Sequence, residues 1–237
     1  MTDVFISIIS ARRPKSVMKM QDFAPNATWF VALGEAQDYI KEGAVNVIEA
    51  GSLIEARNKA LEHAFEQNKS CVQLSDDLTK LFIVNDDLSL EQTSVEDAVK
   101  LMKTICDSTG FKLAGVAPVP NTFYYDPKKP VKTHHFIVGD FIYIQPSKPR
   151  FDNDLLLKED YDFTAQHIHN YGGVARCDFI FAHFKHRTNA GGVVAYRTPE
   201  IEQQSIALLK SKWGDAIKDN PRRPNEILFR GQKVKRA

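Results

Sequence analysis

The chain has 237 residues, a formal net charge of +1 and 43% hydrophobic residues, so it can bury one well-packed core, and we expect a single domain. Cys71, Cys106 and Cys177 lack metal-type spacing and lie in apolar runs, which favours reduced core thiols over a disulfide scaffold. No apolar run approaches the roughly 20 residues of a membrane span. The start of the chain lacks a signal-peptide pattern, and we expect a cytoplasmic protein without a membrane partner.

The first third of the chain alternates short apolar runs with amphipathic segments. In chain order we predict a strand over 4–9, helical character over 15–23, a strand over 28–33, a helical turn over 37–43, a strand over 45–50, a helix from residue 52 and a strand over 72–74. The helix has the clearest start, because Ser52 and Glu55 form a capping box. This order is typical of an α/β fold whose mostly parallel, Rossmann-type sheet has helices on both faces.

The remaining chain continues this pattern around one long loop. We predict a helix from 94 to about 110, a strand over 113–117, a loop over 118–130 and a strand over 134–144 that Gly139 interrupts. A helix over 155–171, a strand over 175–184 and a helix over 198–213 follow. We place the domain at 1–219, followed by a basic tail over 220–237. The tail contains Arg222, Arg223, Arg230, Lys233, Lys235 and Arg236 against a single acid, Glu226, which suggests a polyanion partner or a flexible surface segment.

The most informative motif is Ser75-Asp76-Asp77, which follows the apolar run 71–74. The carboxyl ends of strands in an α/β sheet line the ligand crevice, and adjacent carboxylates are costly there without a cation. Mg²⁺ and Mn²⁺ commonly take one or two protein carboxylates and leave the other positions to water and phosphates. We therefore predict a metal site facing a phosphate at Asp76 and Asp77, with a solvated turn as the alternative.

A second acidic group, Glu159 and Asp160, lies where a helix is predicted to begin. Carboxylates at a helix start gain about 0.3–1 kcal/mol, so an ordinary helix start is one interpretation. Combined with the Asp pair, one of these carboxylates is a candidate general base for an acceptor hydroxyl. His183 and His186 flank the end of a later strand, where they are either structural or ligands that complete a metal shell.

Basic and polar residues follow the first strand and the capped helix start. Ser10, Ala11, Arg12 and Arg13 lie where the crevice of a parallel sheet opens, and guanidinium groups there can hold a diphosphate. Arg57 and Asn58 stand amid the apolar positions of the capped helix and are candidates for contact with a nucleotide or sugar. A solvated basic turn and a surface position for Arg57 remain the alternatives.

Several common catalytic motifs are missing. The sequence has no phosphate-cradling Gly-rich loop, no G-x-G-x-x-G after the first strand, no G-x-S-x-G and no zinc-type cysteine pair. Hydride transfer, P-loop hydrolysis and serine hydrolysis are therefore disfavoured. Metal-assisted group transfer from a diphosphate donor is the scheme that these residues support.

The ordered set of motifs resembles the GT-A-fold glycosyltransferases over nearly the whole chain: Ser10-Ala11-Arg12-Arg13, Ala56-Arg57-Asn58, Ser75-Asp76-Asp77, Glu159-Asp160 and His183/His186. The resemblance implies that Asp77 is the metal ligand and that Asp76 is the nearer partner of the nucleotide. Lys158-Glu159-Asp160 matches the family's xED motif, which implies that Asp160 is the base of an inverting transfer. Ser75 departs from the pattern, since many members carry a third Asp there.

Within that superfamily the chain is similar to small phage DNA-modifying glycosyltransferases, which include arabinosyltransferases acting on hydroxylated cytosine. The resemblance implies transfer of arabinose or glucose from a UDP-sugar, with Mn²⁺ or Mg²⁺, to hydroxymethylcytosine-type bases in DNA, and location in the host cytoplasm if a phage encodes the protein. Cationic groups for the DNA backbone would come from Arg222, Arg223, Arg230 and Lys233. Phe123, Tyr124 and Tyr125 in the long loop are candidates to stack on a flipped or unpaired base.

Three alternatives stay open at this point. The same fold could serve a glycan, lipid or protein acceptor. The chain could be a nucleic-acid-binding module whose acidic pairs are structural, or a two-metal nucleotidyltransferase. The sequence does not reveal the sugar or the oligomeric state.

Overall fold

The computed structural model describes residues 3–185 and 197–237. In chain order its elements are β1 (Val4–Ile9), α1 (Ser16–Met20), β2 (Thr28–Val31), α2 (Ala36–Lys41), β3 (Asn46–Glu49), α3 (Leu53–Glu66), β4 (Ser70–Ser75), β5 (Leu78–Val84), β6 (Leu90–Gln92), α4 (Val95–Thr109), β7 (Leu113–Val116), β8 (Val131–Lys132), β9 (Phe141–Ile144), α5 (Glu159–Tyr171), β10 (Ala175–Cys177), β11 (Ile180–Phe184), α6 (Pro199–Trp213), β12 (Ile217–Asp219) and β13 (Ile227–Phe229). Short 3₁₀ turns lie at Thr122–Tyr124, Gly214–Ala216 and Gly231–Lys233.

The main sheet has eight strands in the order β3-β2-β1-β4-β9-β7-β10-β8. Only β8 and β9 run opposite to the other six, so the prediction of a mostly parallel sheet is confirmed. The chain leaves β1 toward β2 on one side and returns as β4 on the other side. This reversal is the topological switch point at which open α/β sheets bind ligands.

Side chains of the central strands alternate between the two faces of the sheet, as the period of a strand requires. Ile8 of β1 packs in the cluster that contains residues of α1, α2 and α4. Phe5 and Ile9 of the same strand pack against the cluster that contains residues of α3 and α5. The prediction of a single α/β domain with helices on both faces is therefore confirmed.

Local sequence signals set the helix starts. The Ser52 hydroxyl accepts a hydrogen bond from the Glu55 backbone N–H, and the Glu55 carboxylate accepts one from the Ser52 N–H, so the predicted capping box is present. Thr198 caps α6 directly before Pro199. The helix predicted from residue 155 begins only at Glu159, because Lys158 adopts a left-handed conformation (φ 63°) that helical residues do not share.

Two predicted strands are wrong in extent. Only Phe141–Ile144 of the segment 134–144 is a strand, because the backbone around Gly139 contacts the side chains of Arg57 and Asp160 and leaves the ladder. The segment 175–184 divides into β10, which joins the main sheet, and β11, which pairs with β5 in a separate three-stranded sheet, β11-β5-β6. The sequence analysis also did not predict β5 and β6, which follow the Asp pair.

The basic segment 220–237 packs on the domain. Its strand β13 pairs antiparallel with β12, and Val234 is buried in the core on the α3 and α5 face. The Lys235 carbonyl lies 2.6 Å from Nδ1 of His169. A flexible surface tail is therefore not what the structure contains.

Two expectations from composition concern the core and membranes. Cys71, Cys106 and Cys177 are free and buried, as predicted for core thiols. Among the helices in 3–185 and 197–237, none combines the length and apolar character that crossing a bilayer requires.

Candidate functional site

The carboxyl ends of β1 and β4 lie side by side, with Ile9 paired to Ser75, so Ser10 and Asp76 follow the two strands at the switch point. The Asp76 carboxylate is buried. Its Oδ1 accepts a hydrogen bond from Nη1 of Arg13 at 2.9 Å, and its Oδ2 accepts one from the Ser10 hydroxyl. The structure thus brings together three of the predicted donor-site residues.

Tyr39 completes this network, although sequence reasoning did not identify it. Its hydroxyl lies 2.6 Å from the Ser10 hydroxyl and accepts the Arg13 backbone N–H at 3.1 Å. Burial raises the pKa of Tyr39 to about 12, so the phenol stays neutral. The sequence places Tyr39 in a helix but carries no signal that the ring reaches back to the end of β1.

Opposing effects set the charge of Asp76. Burial raises the pKa of its carboxyl, as does the neighbouring Asp77 charge to a smaller degree, whereas Ser10 and Arg13 lower it. Because both carboxylate oxygens are engaged by protein donors, the observed contacts of Asp76 hold the switch point together. Its role as a metal or nucleotide ligand stays a prediction.

Asp77 lies in the two-residue turn that joins β4 to β5. Its Oδ1 accepts the Ser75 hydroxyl at 2.7 Å, and its backbone carbonyl accepts the Lys185 N–H at 3.1 Å. The Ser75 hydroxyl thus orients the Asp77 carboxylate. Within the described ranges no protein group bonds to Oδ2 of Asp77.

The predicted metal ligands do not form a multidentate protein cage. Across residues 3–185 and 197–237, no group of three or more His, Cys, Asp or Glu side chains has a metal-binding arrangement. His183 is half-buried, and its ring packs edge-on against Phe82 at 5.9 Å between centroids. His186 lies outside the described residues. Mg²⁺ and Mn²⁺ commonly bind to one or two carboxylates plus phosphates and water, and a metal ion at the Asp76–Asp77 turn stays a prediction.

Ala11 and Arg12 form the turn after β1. Arg12 adopts a left-handed conformation (φ 60°), and its backbone N–H donates to Oε2 of Glu35 at 2.7 Å. The Arg12 side chain is exposed beside the switch point. This position is compatible with the predicted diphosphate contact, which stays a prediction.

Arg57, predicted as a donor ligand, is buried inside the protein. Its guanidinium donates to the Gln73 side chain of β4 at 3.0 Å and twice to the Gly139 carbonyl at 3.1 Å, and its Nε lies 3.3 Å from Oε1 of Glu159. A Cβ on Gly139 would lie 2.6 Å from the guanidinium, so a side chain at this position would displace Arg57 from its observed place. The alternative of a surface position is wrong, and the contacts observed for Arg57 are structural.

Asn58 has a similar observed role. Its side-chain amide donates to the Phe151 carbonyl at 2.8 Å and accepts the Phe151 N–H at 2.9 Å. Phe151 in turn lies under the Arg57 guanidinium, 5.1 Å from the ring centroid. Arg57 and Asn58 therefore fix the segment around Phe151, which leads to α5. Their predicted contact with a nucleotide or sugar stays a prediction.

Asp160 is the half-buried carboxylate at the start of α5. Its Oδ2 accepts the Gly139 N–H at 3.2 Å, and its Oδ1 accepts the Tyr161 N–H at 3.0 Å. Burial, and then the negative charge of Glu159, raise the pKa of Asp160 to about 8, while Arg57 and the Gly139 N–H oppose the rise. Such a carboxyl can hold or release a proton near neutral pH.

The segment Gly139–Asp140 connects the two acidic groups. The Asp140 carbonyl accepts the Ser75 N–H at 2.7 Å, one residue before the Asp pair, and the adjacent Gly139 N–H donates to Asp160. Asp140 also lines a pocket of about 120 Å³ with His183, Pro118 and Pro120. Sequence reasoning did not identify Asp140, because it lies inside the predicted strand 134–144, directly after the interruption at Gly139.

The residues predicted to contact the acceptor differ in how exposed they are. Tyr124 is 65% exposed, whereas Tyr125 packs against the cluster of Val84 and Phe181. The four basic residues named for DNA binding, Arg222, Arg223, Arg230 and Lys233, are all exposed. Arg223 lies 3.5 Å from Glu226, a weak surface pair.

Comparison with known proteins adds little to this geometry. No protein-family model and no curated protein matches the sequence. Among solved structures, the chain is similar to a mannose-1-phosphate geranyltransferase from Thermus thermophilus, with 10% identity and a TM-score of 0.34. The match covers 77% of this chain and 57% of that protein. Similarity at this level identifies no shared function.

Replacing Arg13 tests the buried ion pair at the switch point. Arg13→Gln leaves the Asp76 carboxylate buried with one partner fewer, which we expect to lower the unfolding free energy by about 3 kcal/mol near pH 8. The loss should shrink toward pH 5, since the carboxyl then takes up a proton more readily. Urea denaturation of Arg13→Gln, with Arg12→Gln as control, measures this. Equal losses at both pH values would contradict it, and adding Asp76→Asn should restore stability.

Replacing Asp160 tests its raised pKa. The folded state binds a proton at Asp160 up to about pH 8, whereas an unfolded Asp releases it near pH 4, so this group destabilises the fold as pH rises between them. We expect Asp160→Asn to raise the thermal midpoint at pH 8.5 more than at pH 5. The matched control is Asp38→Asn on the exposed face of α2. A lower midpoint at pH 8.5 would contradict the assignment.

Proposed function

We propose that this protein is a glycosyltransferase that moves a sugar, arabinose or glucose, from a UDP-sugar to a hydroxyl on a modified cytosine in DNA. The observation that carries the proposal is Asp160, a half-buried carboxylate with a pKa raised to about 8. It is joined through Gly139–Asp140 to the strand end that bears Asp76 and Asp77. A proton acceptor beside a diphosphate-type crevice is what sugar transfer to a hydroxyl requires.

The donor half of the proposal rests on the switch point between β1 and β4. Nucleotides bind outside the carboxyl ends of parallel strands where the strand order reverses. Arg12 is exposed there, and Ser10, Arg13 and Tyr39 hold the turn in a fixed shape. Asp77, with Asp76 beside it, is the group that would hold Mn²⁺ or Mg²⁺. The bound ion would neutralise the diphosphate that leaves.

The chemistry assigned to the chain itself is proton transfer. Asp160 accepts the proton of the acceptor hydroxyl while that oxygen forms a bond to C1 of the sugar. The bond between C1 and the diphosphate oxygen breaks, and UDP carries away the electron pair. Glu159 and Arg57 act as positioning residues in this scheme, since their charges set the pKa of Asp160 from opposite sides.

A DNA acceptor is the finer part of the proposal. A base in a duplex cannot enter a crevice, so the enzyme would flip it or meet it unpaired. Mass spectrometry of hydroxymethylated and unmodified oligonucleotides after incubation with UDP-glucose, UDP-arabinose and Mn²⁺ tests both parts. A mass gain on the hydroxymethylated strand alone supports the proposal. Transfer only to glycan, lipid or protein acceptors would support the glycosyltransferase class and overturn the assignment of DNA as the acceptor.

Asp77→Asn tests the metal assignment. The variant keeps an oxygen for the Ser75 hydroxyl but loses the carboxylate charge. We expect calorimetric affinity for UDP-sugar in Mn²⁺ to fall about tenfold or more, the scale on which disturbed metal sites lose affinity. Asp86→Asn, in the exposed β5–β6 turn, is the control. Binding heats for Asp77→Asn that equal those of the wild type would contradict the assignment. If the wild-type protein itself gave no heat with any donor, a non-enzymatic binding module would be favoured.

Asp160→Asn tests the base. We expect kcat to fall by roughly 10²-fold, the contribution of a positioned general base, with an unchanged Kd for the donor. In the wild type, kcat/KM should fall as pH drops below about 8, because protonated Asp160 cannot accept the hydroxyl proton. The exposed Asp154→Asn in the preceding turn is the control. Normal turnover by Asp160→Asn would show that another group is the base.

A further inference from the structure

An open cleft of about 420 Å³ lies apart from the acidic site and is lined by basic and polar side chains. They include Lys128, Lys129, Lys132, His134, His135 and Gln232. Within the described residues no Asp or Glu lines this cleft. We call it the lysine cleft.

The three lysines of the cleft are available for a ligand. In the described part of the chain, none of their ammonium groups forms an ion pair or a side-chain hydrogen bond. The nearby Asp126 carboxylate instead accepts the Lys128 backbone N–H at 3.0 Å and fixes the turn that presents the lysines. Burial lowers the pKa of His135, as do the nearby charges of Arg176 and Lys132, while the Asp178 carboxylate opposes the shift.

The basic carboxyl-terminal segment contributes one residue, Gln232, to the lining of the cleft. Gln232 lies in the 3₁₀ turn Gly231–Lys233, and a Cβ on Gly231 would lie 2.1 Å from the His134 carbonyl. This backbone contact holds the turn against the lysine segment. Arg230 and Lys233, both exposed, extend the positive surface along the same turn.

One loop joins the lysine cleft to the acidic site. Pro118 and Pro120 at its start line the pocket that holds Asp140 and His183, and Lys128 and Lys129 at its end line the cleft. Phe123 and Tyr124 lie between these ends, 84% and 65% exposed, with ring centroids 5.1 Å apart. Exposed aromatic rings next to a cationic groove are the combination by which proteins hold single-stranded nucleic acids.

We propose that the lysine cleft binds the phosphodiester backbone of the acceptor DNA strand, with Phe123 and Tyr124 stacking on the bases beside the modified one. The inference rests on the proposed function for the identity of the strand. It adds Lys128, Lys129 and Lys132 to the predicted DNA-binding residues. The protein would then bind one DNA strand along a path from the lysine cleft, across the rings of Phe123 and Tyr124, to the pocket that Asp140 lines.

The salt dependence of DNA affinity reports how many phosphate groups the protein neutralises. Each phosphate neutralised on a single strand contributes about 0.7 to the slope of log affinity against log salt concentration. Replacing Lys128, Lys129 and Lys132 together with Gln should reduce that slope by about 2. We expect binding of a fluorescein-labelled, unmodified single-stranded DNA, measured by anisotropy near 50 mM salt, to weaken about tenfold or more.

The control removes the same charge elsewhere: Lys19, Lys41 and Lys100 to Gln, on α1, α2 and α4. It should retain both slope and affinity. A Phe123→Ala, Tyr124→Ala variant should weaken binding about fivefold or more at unchanged slope, because stacking releases no counterions. Thermal melting checks that each variant folds. Equal losses in the two lysine variants, or wild-type binding without salt dependence, would overturn the inference.

The binding assay needs no donor, metal or modified base, so it separates this inference from the proposed function. DNA binding that depends on the lysine cleft, without any sugar transfer, would overturn the proposed function and support the inference that the cleft binds DNA. If the triple lysine variant transfers sugar to hydroxymethylated DNA with an unchanged KM, the inference that the cleft binds DNA is overturned and the proposed function is supported.

Discussion

The candidate site depends on one buried guanidinium. Arg57 extends from α3 and binds Gln73 of β4, the Gly139 carbonyl and the Glu159 carboxylate, so a single cation links a helix, a central strand, a loop and the start of α5. A buried arginine is costly unless carbonyls and carboxylates surround it, and these partners must therefore stay in place together. The consequence is a fixed position for Asp160 relative to the end of β4.

The same arrangement sets the chemistry available at Asp160. Burial and Glu159 favour the protonated carboxyl, whereas Arg57 and the Gly139 N–H favour the carboxylate, and the result is a pKa near neutrality. At the switch point the balance differs. Side chains of Arg13 and Ser10 engage both oxygens of Asp76, whereas the oxygens of Asp160 accept the backbone N–H groups of Gly139 and Tyr161. The two carboxyl groups therefore lie in different electrostatic surroundings, one beside a guanidinium and the other beside a second carboxylate.

The surface beside the site is organised by a loop without regular strand or long helix. Tyr125 anchors it on the small apolar cluster around Phe181, which leaves Phe123 and Tyr124 exposed. Its far end meets the carboxyl-terminal 3₁₀ turn at the lysine cleft. A long ordered loop with exposed rings and unpaired lysines is more typical of ligand binding than of packing.

Local sequence patterns determined most of the fold. The apolar periods and the Ser52 and Thr198 caps were enough to predict the mostly parallel sheet, the faces of its helices and the strand end at Asp76, because these signals act over a few residues. Only tertiary structure decided that Arg57 is an internal link and that Tyr39 reaches Ser10. It also decided that Asp140 and His183 line one pocket, and that Gln232 lines the same cleft as Lys128 and Lys132. Each of these depends on contacts between residues distant in sequence, which no local period or cap encodes.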